Sequence, residues 1–254
     1  MKKIQINPVF VKTFKNVRNF GVLMDGLAMA AGEGRLGLVY GKAGRGKTRT
    51  SQWYAANNGC VYMKVAKIWK SSELEFMQEL CRRLGMMTPP KRKGPCYREA
   101  LQSLLDVPRP VFIDEIEKIH PDFIEIVRDL AEGSAGSFIL IGEEELKGLM
   151  ERNARVWSRT YQHMEFDPIS VSDVMYYAMD TAGLKLPPEV ASIFHKSSGG
   201  DFRLVRRSMI SLVQFLNAKG NGGGPDDDGA PQITQEMARI AVKVGLSGNG
   251  GDKA

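Results

Sequence analysis

Eight residues, Gly41-Lys42-Ala43-Gly44-Arg45-Gly46-Lys47-Thr48, carry the spacing G-x-x-x-x-G-K-[ST]. Glycines at these intervals let a loop wrap a phosphate with its backbone N–H groups turned inward, and a helix starting at the end of the loop adds its partial positive charge. The pattern predicts nucleotide contacts from Gly41, Ala43, Gly44, Gly46, Lys47, Thr48 and Arg49, with the Lys47 ammonium on the β and γ phosphates and the Thr48 hydroxyl on Mg²⁺. A second run, Pro110-Val111-Phe112-Ile113-Asp114-Glu115, is apolar, β-branched and ends in two acids. That is the form of a buried parallel strand that delivers carboxylates to the carboxyl edge of a sheet, where ligands bind. Asp114 there would hold Mg²⁺ through its water shell, and Glu115 would polarise the water that attacks the γ-phosphate. The same two acids also suit a helix start near Pro121, so capping stands as the alternative. ATP and Mg²⁺ are the cofactors this pair of runs calls for.

Such a loop works only between a strand and a helix, and the flanking residues read that way: a strand at 36–40 and a helix over 50–56. Further strands are expected at 61–65, 111–113 and 137–141, with a last one at 162–166. Helical patterns over 73–84, which stops at Gly85, and over 122–130 lie between them. The alternation predicts an α/β fold, a parallel sheet with helices on both faces. After Pro168 the strands end and helices are expected over 172–183, 187–197, 202–218 and 233–244, the last capped by Thr234. The domain reading is therefore a nucleotide-binding α/β domain over 1–168, a small helical lid over 169–246 with a flexible Gly- and Asp-rich loop at 219–231, and a disordered tail over 247–254.

A chain of 254 residues has room for one large core or for an α/β domain plus a smaller helical one. No apolar run approaches the roughly 20 residues of a membrane span, and the start lacks the apolar stretch of a signal peptide, so a soluble cytoplasmic protein with no membrane partner is expected. Cys60, Cys81 and Cys96 are odd in number and scattered, and His120, His163 and His195 share no metal-ligand spacing with them, which argues against disulfides and a zinc site. The formal net charge of +6 suits a polyanionic partner. Lys64, Lys67 and Lys70 follow the second strand, and Lys91, Arg92 and Lys93 sit in a loop whose prolines interrupt any helix. Each cluster could contact DNA phosphates or form a solvated surface. No helix-turn-helix, zinc finger or aromatic stacking platform for reading bases is present in the sequence.

Together these motifs resemble the AAA+ ATPases, with a Walker A loop at 41–48, a Walker B strand at 111–115 and a C-terminal helical region. The runs Phe112-Ile113-Asp114-Glu115-Ile116-Glu117-Lys118-Ile119 and Phe138-Ile139-Leu140-Ile141-Gly142-Glu143-Glu144-Glu145-Leu146 are similar to those of the transposition regulators of phage Mu, Tn7-like and Tn5053-like elements. Residues 10–17 and the exact form of the loop look most like the Mu group. The resemblance implies an ATPase that binds ATP between subunits, assembles as a homo-oligomeric helical filament or ring on double-stranded DNA without sequence preference, and delivers that target to a DDE transposase. Hydrolysis, slow and stimulated by DNA or partner, would trigger disassembly in a bacterial host cell, on the nucleoid. It also implies roles by position. Arg159 in Ser158-Arg159 would be the arginine finger offered to a neighbouring subunit, with Arg152 and Arg155 as rivals. Arg203 in Gly199-Gly200-Asp201-Phe202-Arg203 would be the sensor-2 arginine of the helical lid, so that the catalytic set is Lys47, Glu115 and Arg159. Surface or interdomain ion pairs are the alternative for both arginines. Where the family carries a neutral polar sensor-1 residue after its fourth strand, this chain reads Gly142-Glu143-Glu144. Either Glu143 fills that place or sensing is weakened. The Mu group's N-terminal DNA-binding helical domain has no counterpart in the ten or so residues before the core, so DNA contact is expected from the core. A helicase loader or replication initiator shares every nucleotide residue named. A protein-remodelling ATPase would place Ile68-Trp69 in a pore loop, and a nucleotide switch would bind ATP with scarcely any turnover.

Overall fold

The computed structural model describes residues 3–30, 35–70, 72–218 and 231–247. The chain divides into two compact units, Asn19–Phe166 and the pair of segments Met1–Arg18 and Asp167–Ala254. In chain order the first unit and its approach comprise α1 (Lys15–Met29), β1 (Arg35–Tyr40), α2 (Lys47–Asn57), β2 (Val61–Lys64), a 3₁₀ turn at Lys67–Trp69, and α3 (Glu73–Arg83). They continue with α4 (Lys93–Asp106), β3 (Val111–Asp114), a second 3₁₀ turn at Ile116–Lys118, α5 (Asp122–Ser134), β4 (Ser137–Ile141), α6 (Glu145–Glu151), α7 (Ala154–Trp157) and β5 (Thr160–Glu165).

The five strands form one sheet in the order β2-β3-β4-β1-β5, every neighbour parallel. Every residue of β1 and β3 is buried, as the continuous apolar runs require of strands covered on both faces. Alternation then sorts the side chains. Ile113, Leu38 and Leu140 join Leu80, Cys96 and Val127 of α3, α4 and α5 on one face, whereas Phe112, Val39 and Ile139 join Phe20 and Leu23 of α1 and Ala55 of α2 on the other. On that second face Phe20 lies 5.4 Å from Tyr54 and 5.8 Å from Phe112 between ring centroids, and such pairs add roughly 0.5–1.5 kcal/mol each to their burial. Phe112 and Asp114, two residues apart on one strand, share this face, so the aromatic cluster anchors the strand end that carries the acid.

Four helices were not in the sequence expectation: the short α6 and α7 before β5, and the longer α1 and α4. α1 carries Phe20, Leu23, Met24 and Leu27 on one side, all buried, but its first turn holds no acid to mark its start. α4 begins at Lys93 with Pro95 in its first turn, the one place where a helix tolerates proline because that N–H has no helical acceptor. The expected loop is thus corrected: it ends at Arg92, and Lys93 and Gly94 belong to the helix.

The second unit contains α8 (Val171–Ala182), α9 (Pro188–Ser198), α10 (Phe202–Ala218) and α11 (Gln235–Ser247). Ser170 and Asp173 cap α8 reciprocally, and Thr234 Oγ1 accepts from the Met237 N–H at 3.3 Å ahead of α11. A Cβ at Gly245 would lie 2.8 Å from the Ser208 Cα, which is how closely α11 approaches α10. The expected first boundary is corrected here: the segment up to Arg18 belongs with the helices, not with the sheet. Val11 is buried in the helical core, and Asn217 exchanges two hydrogen bonds of 2.9 Å with the backbone of Ile4. Of the loop expected at 219–231 and the tail expected at 247–254, residues 219–230 and 248–254 lie outside the described residues, and Ser247 is the last residue of α11. No helix among the described residues is long and apolar enough to cross a membrane.

Candidate nucleotide site

The loop between β1 and α2 lies at the carboxyl edge of the sheet. It leaves the strand through Gly41, whose φ of 137° excludes a side chain; a Cβ there would also stand 2.9 Å from the Phe166 carbonyl oxygen at the end of β5. The loop closes through Gly46 at φ 99°, the N-cap of α2, where a Cβ would meet nothing within 4 Å. That open concavity beside a helix N-terminus, with Gly44 also at positive φ, is the shape of a backbone cradle for an anion. Lys47 is buried, and its ammonium donates to the carbonyls of Gly41 and Lys42, the latter at 3.0 Å, which holds it across the loop. Ala43 and Arg49 are exposed.

Asp114 ends β3 almost wholly buried, 1% exposed. Its Oδ2 accepts from the Thr48 hydroxyl and from the Tyr62 hydroxyl, each at 2.7 Å, and its Oδ1 accepts from the Glu115 N–H at 3.0 Å. A hydroxyl and a carboxylate converging beside a phosphate cradle are the hard oxygen donors Mg²⁺ prefers, so the residues fit the ion. Tyr62 is held up from the usual tyrosine range by burial first and then by its bond to Asp114, so it stays a donor.

Glu115 stands at φ 58°, a left-handed conformation uncommon outside glycine and asparagine, and this turns its carboxylate out of the strand. Lys64, directly opposite Asp114 in the β2–β3 register, places its ammonium 3.2 Å from Glu115 Oε1, and Lys118 binds Oε2. Burial pushes Glu115 upward, but the hydrogen bonds from Lys118 and Lys64 outweigh it and leave the group below the ordinary carboxylate range. Glu117 is the reverse case. Burial, reinforced by the like charges of Glu143, Glu115 and Asp114, holds it above that range, and its Oε2 is buried with no hydrogen-bond partner. That oxygen packs against Gly142 at the end of β4, where any Cβ would collide with it, while Glu143 is exposed.

The remaining sequence candidates fall elsewhere. Lys67 and Lys70 are exposed at either end of the 3₁₀ turn after β2, flanking Ile68, which is 81% exposed; Trp69 is packed against the core. Lys91 and Arg92 are exposed in the loop before α4, and Lys93 pairs with Glu73. Arg159 precedes β5 at the amino end of the sheet: its carbonyl accepts from the Leu36 N–H at 2.8 Å, and its guanidinium pairs with Glu132 at 2.6 Å. Arg152 and Arg155 are exposed nearby. Arg203, in the helical unit, binds Asp201 at 2.9 Å and is largely exposed. Tyr62 and Lys118 are site residues that no motif marked. Tyr62 has the same parity on β2 as Lys64, a signal that becomes readable only once β2 is known to lie beside β3.

Residues 30–150 match the family model described as AAA domain. The Mu-like prophage FluMu DNA transposition protein B of Haemophilus influenzae is 24% identical over 182 residues, 68% of this chain and 63% of that protein. The ATP-dependent target DNA activator B of Escherichia phage Mu is 29% identical over 210 residues, 80% of this chain and 66% of that protein. The chain thus spans a little under two thirds of the length of the curated relatives it matches. Among solved structures, the Aeropyrum pernix ORC2 protein in its ADPNP–ADP complexes aligns over 97% of this chain and 71% of its own, at 13% identity and a TM-score of 0.66. Cdc6p from Pyrobaculum aerophilum aligns over 96% and 85%, at 12% identity and a TM-score of 0.64. At such identities these two speak for the fold alone. Residues 30–150 are thus similar to the AAA domain, the fold is a P-loop parallel sheet followed by a helical unit, and the chain resembles the transposition B proteins of Mu-like phages.

Proposed function

We propose that this chain is an ATPase that binds double-stranded DNA without sequence preference in an ATP-dependent manner. In this reading it assembles there as a filament or ring and delivers the bound DNA to a DDE transposase, in the cytoplasm of a bacterial host. The observation that carries the nucleotide part is the convergence of Thr48 and Asp114 beneath the Lys47 loop. Thr48 and Asp114 would hold Mg²⁺, which supplies neutralisation of the β and γ phosphate charge. Lys47 exchanges its loop carbonyls for phosphate oxygens, the loop N–H groups orient the chain of phosphates, and Glu115 accepts the proton of the attacking water. Arg203 would reach the phosphates of its own subunit as the sensor-2 arginine.

Position supports an arginine acting in trans. Six residues of β5, about 20 Å of strand, separate Arg159 from the carboxyl edge of its own sheet, beyond the reach of one side chain. Its guanidinium serves a neighbour's phosphates or none. The exposed pair with Glu132 is worth about 1 kcal/mol or less, so Arg159 is cheaply released.

Support for DNA as the activator comes from Lys64. Its pair with Glu115 is half exposed and equally weak, so a DNA phosphate arriving at Lys64, Lys67 and Lys70 competes for that ammonium and frees the base. Basal hydrolysis is then slow and DNA accelerates it. The names of the relatives, a DNA transposition protein and an ATP-dependent target DNA activator, favour a transposase over a helicase as the protein partner. Fluorescence anisotropy on random-sequence duplexes, with and without ATP and across salt, tests the reading. Tight binding only with ATP, falling steeply with salt, is expected; no binding under any nucleotide would overturn it.

A further inference from the structure

A buried tyrosine shares the metal carboxylate. We infer that Tyr62 is a positioning residue for Mg²⁺: its hydroxyl holds Asp114 Oδ2 in the orientation that meets the ion, acting through that carboxylate and not on the nucleotide. The inference rests on the nucleotide reading above and adds a residue that the Walker motifs do not contain.

The geometry is specific. Thr48 and Tyr62 both donate to one oxygen, Asp114 Oδ2, at 2.7 Å, while Oδ1 is taken by the Glu115 N–H. The Thr48 hydroxyl can offer a lone pair to the ion and still donate its proton to Oδ2, so its place is shared between ion and carboxylate. Tyr62 is the donor whose only task is to hold Oδ2. The direction of its proton is also set, because a carboxylate oxygen only accepts, so the phenol O–H must point at Asp114. The ring is fixed in turn by its packing against the cluster of Phe20, Phe112 and Phe166. Hydrogen-bonded partners one step removed from a metal orient its ligands, and losing one costs about 10–100-fold in metal affinity.

The test uses the full chain, a fluorescent ATP analogue and a Mg²⁺ titration of its binding, run on the wild type, Tyr62→Phe and Tyr54→Phe. Tyr54 lies in the same aromatic cluster, so its variant reports on packing alone. Tyr62→Phe keeps the ring, and its Mg²⁺ midpoint is expected to rise about 10-fold, with analogue affinity in EDTA and the melting temperature unchanged. Tyr54→Phe should match the wild type. A Tyr62→Phe curve that superposes on the wild type, or a loss of affinity equal with and without Mg²⁺, overturns the inference. A wild type whose analogue binding ignores Mg²⁺ overturns the nucleotide reading itself, so the two failures are told apart. Should Tyr62→Phe lose its cooperative melt, Tyr62→His and Tyr62→Leu are compared instead: His keeps an N–H donor, so its Mg²⁺ midpoint is expected below that of Leu, and equal midpoints would overturn the inference.

Discussion

The two ends of the sheet are built on opposite plans. At the carboxyl edge nearly every polar group has a partner within the fold. Lys47 bonds loop carbonyls, Asp114 takes Thr48, Tyr62 and a backbone N–H, and Glu115 sits between two lysines. At the amino edge the half-exposed Arg159 rests on one surface glutamate. A site whose parts hold one another is organised before its ligand arrives, whereas an arginine held by a weak surface pair is available to something outside the fold. On the proposed function, then, one end receives nucleotide and the other offers its cation elsewhere. The contrast also separates two kinds of mutant phenotype.

The greatest loss is expected from the amino edge. Arg159→Ala should lower ATP turnover by about 10³-fold in the assembled protein while ATP affinity of dilute subunits stays within about twofold, read by steady-state turnover beside analogue binding. Equal losses of affinity and turnover would place Arg159 in its own site. Next is Glu115→Gln, expected to cost about 10²–10³-fold in turnover and to leave DNA complexes persistent in ATP, because binding survives the loss of the base. Lys64→Ala should work in the other direction. It removes one of the two lysines on Glu115, so hydrolysis without DNA rises several-fold and the ratio of DNA-stimulated to basal rate falls, as steady-state assays would show; an unchanged basal rate would mean that Lys64 does not restrain the base.

A subtler change is expected at Glu117. Its folded pKa is raised, so folding favours the protonated form, and the cost of its charge appears as pH climbs through the ordinary carboxylate range toward the raised value. Glu117→Gln is blind to that titration. The melting temperature of the variant relative to wild type should therefore move in the variant's favour between about pH 4 and 8, by about 2–4 °C per kcal/mol, in calorimetry at matched salt. A difference constant across that range would show that burial does not tax the charge.

What the sequence discloses follows the same division. The Walker loop and the acid-ended strand are readable because each depends on residues adjacent in the chain: glycines where φ must be positive, β-branched residues where both strand faces are buried. The helical unit is readable from periodicity and from Thr234 as a cap, whereas the capping box of Ser170 and Asp173 goes unread. What cannot be read depends on which strand lies beside which. Lys64 is one member of a lysine series until the β2–β3 register puts it opposite Asp114, and Tyr62 carries no motif at all. Residues 1–18 go with the sheet by proximity in sequence, although the apolar Val11 and the Asn217 clamp on Ile4 tie them to the helices. The run Gly142-Glu143 reads as a sensor either filled by Glu143 or weakened, and the carboxylate packed against Gly142 comes instead from Glu117, in the 3₁₀ turn that follows β3, the strand beside β4.

Whether Arg159 works across subunits is decided by mixing two inactive variants. Arg159→Ala subunits keep Glu115 and lack the arginine; Glu115→Gln subunits lack the base and keep the arginine. If Arg159 acts on a neighbour, an interface of the first subunit's nucleotide site with the second's Arg159 is complete, and mixing at equal concentrations with DNA and ATP should recover turnover to a sizeable fraction of wild type. Turnover no greater than the sum of the two variants measured alone would rule out an arginine shared between subunits.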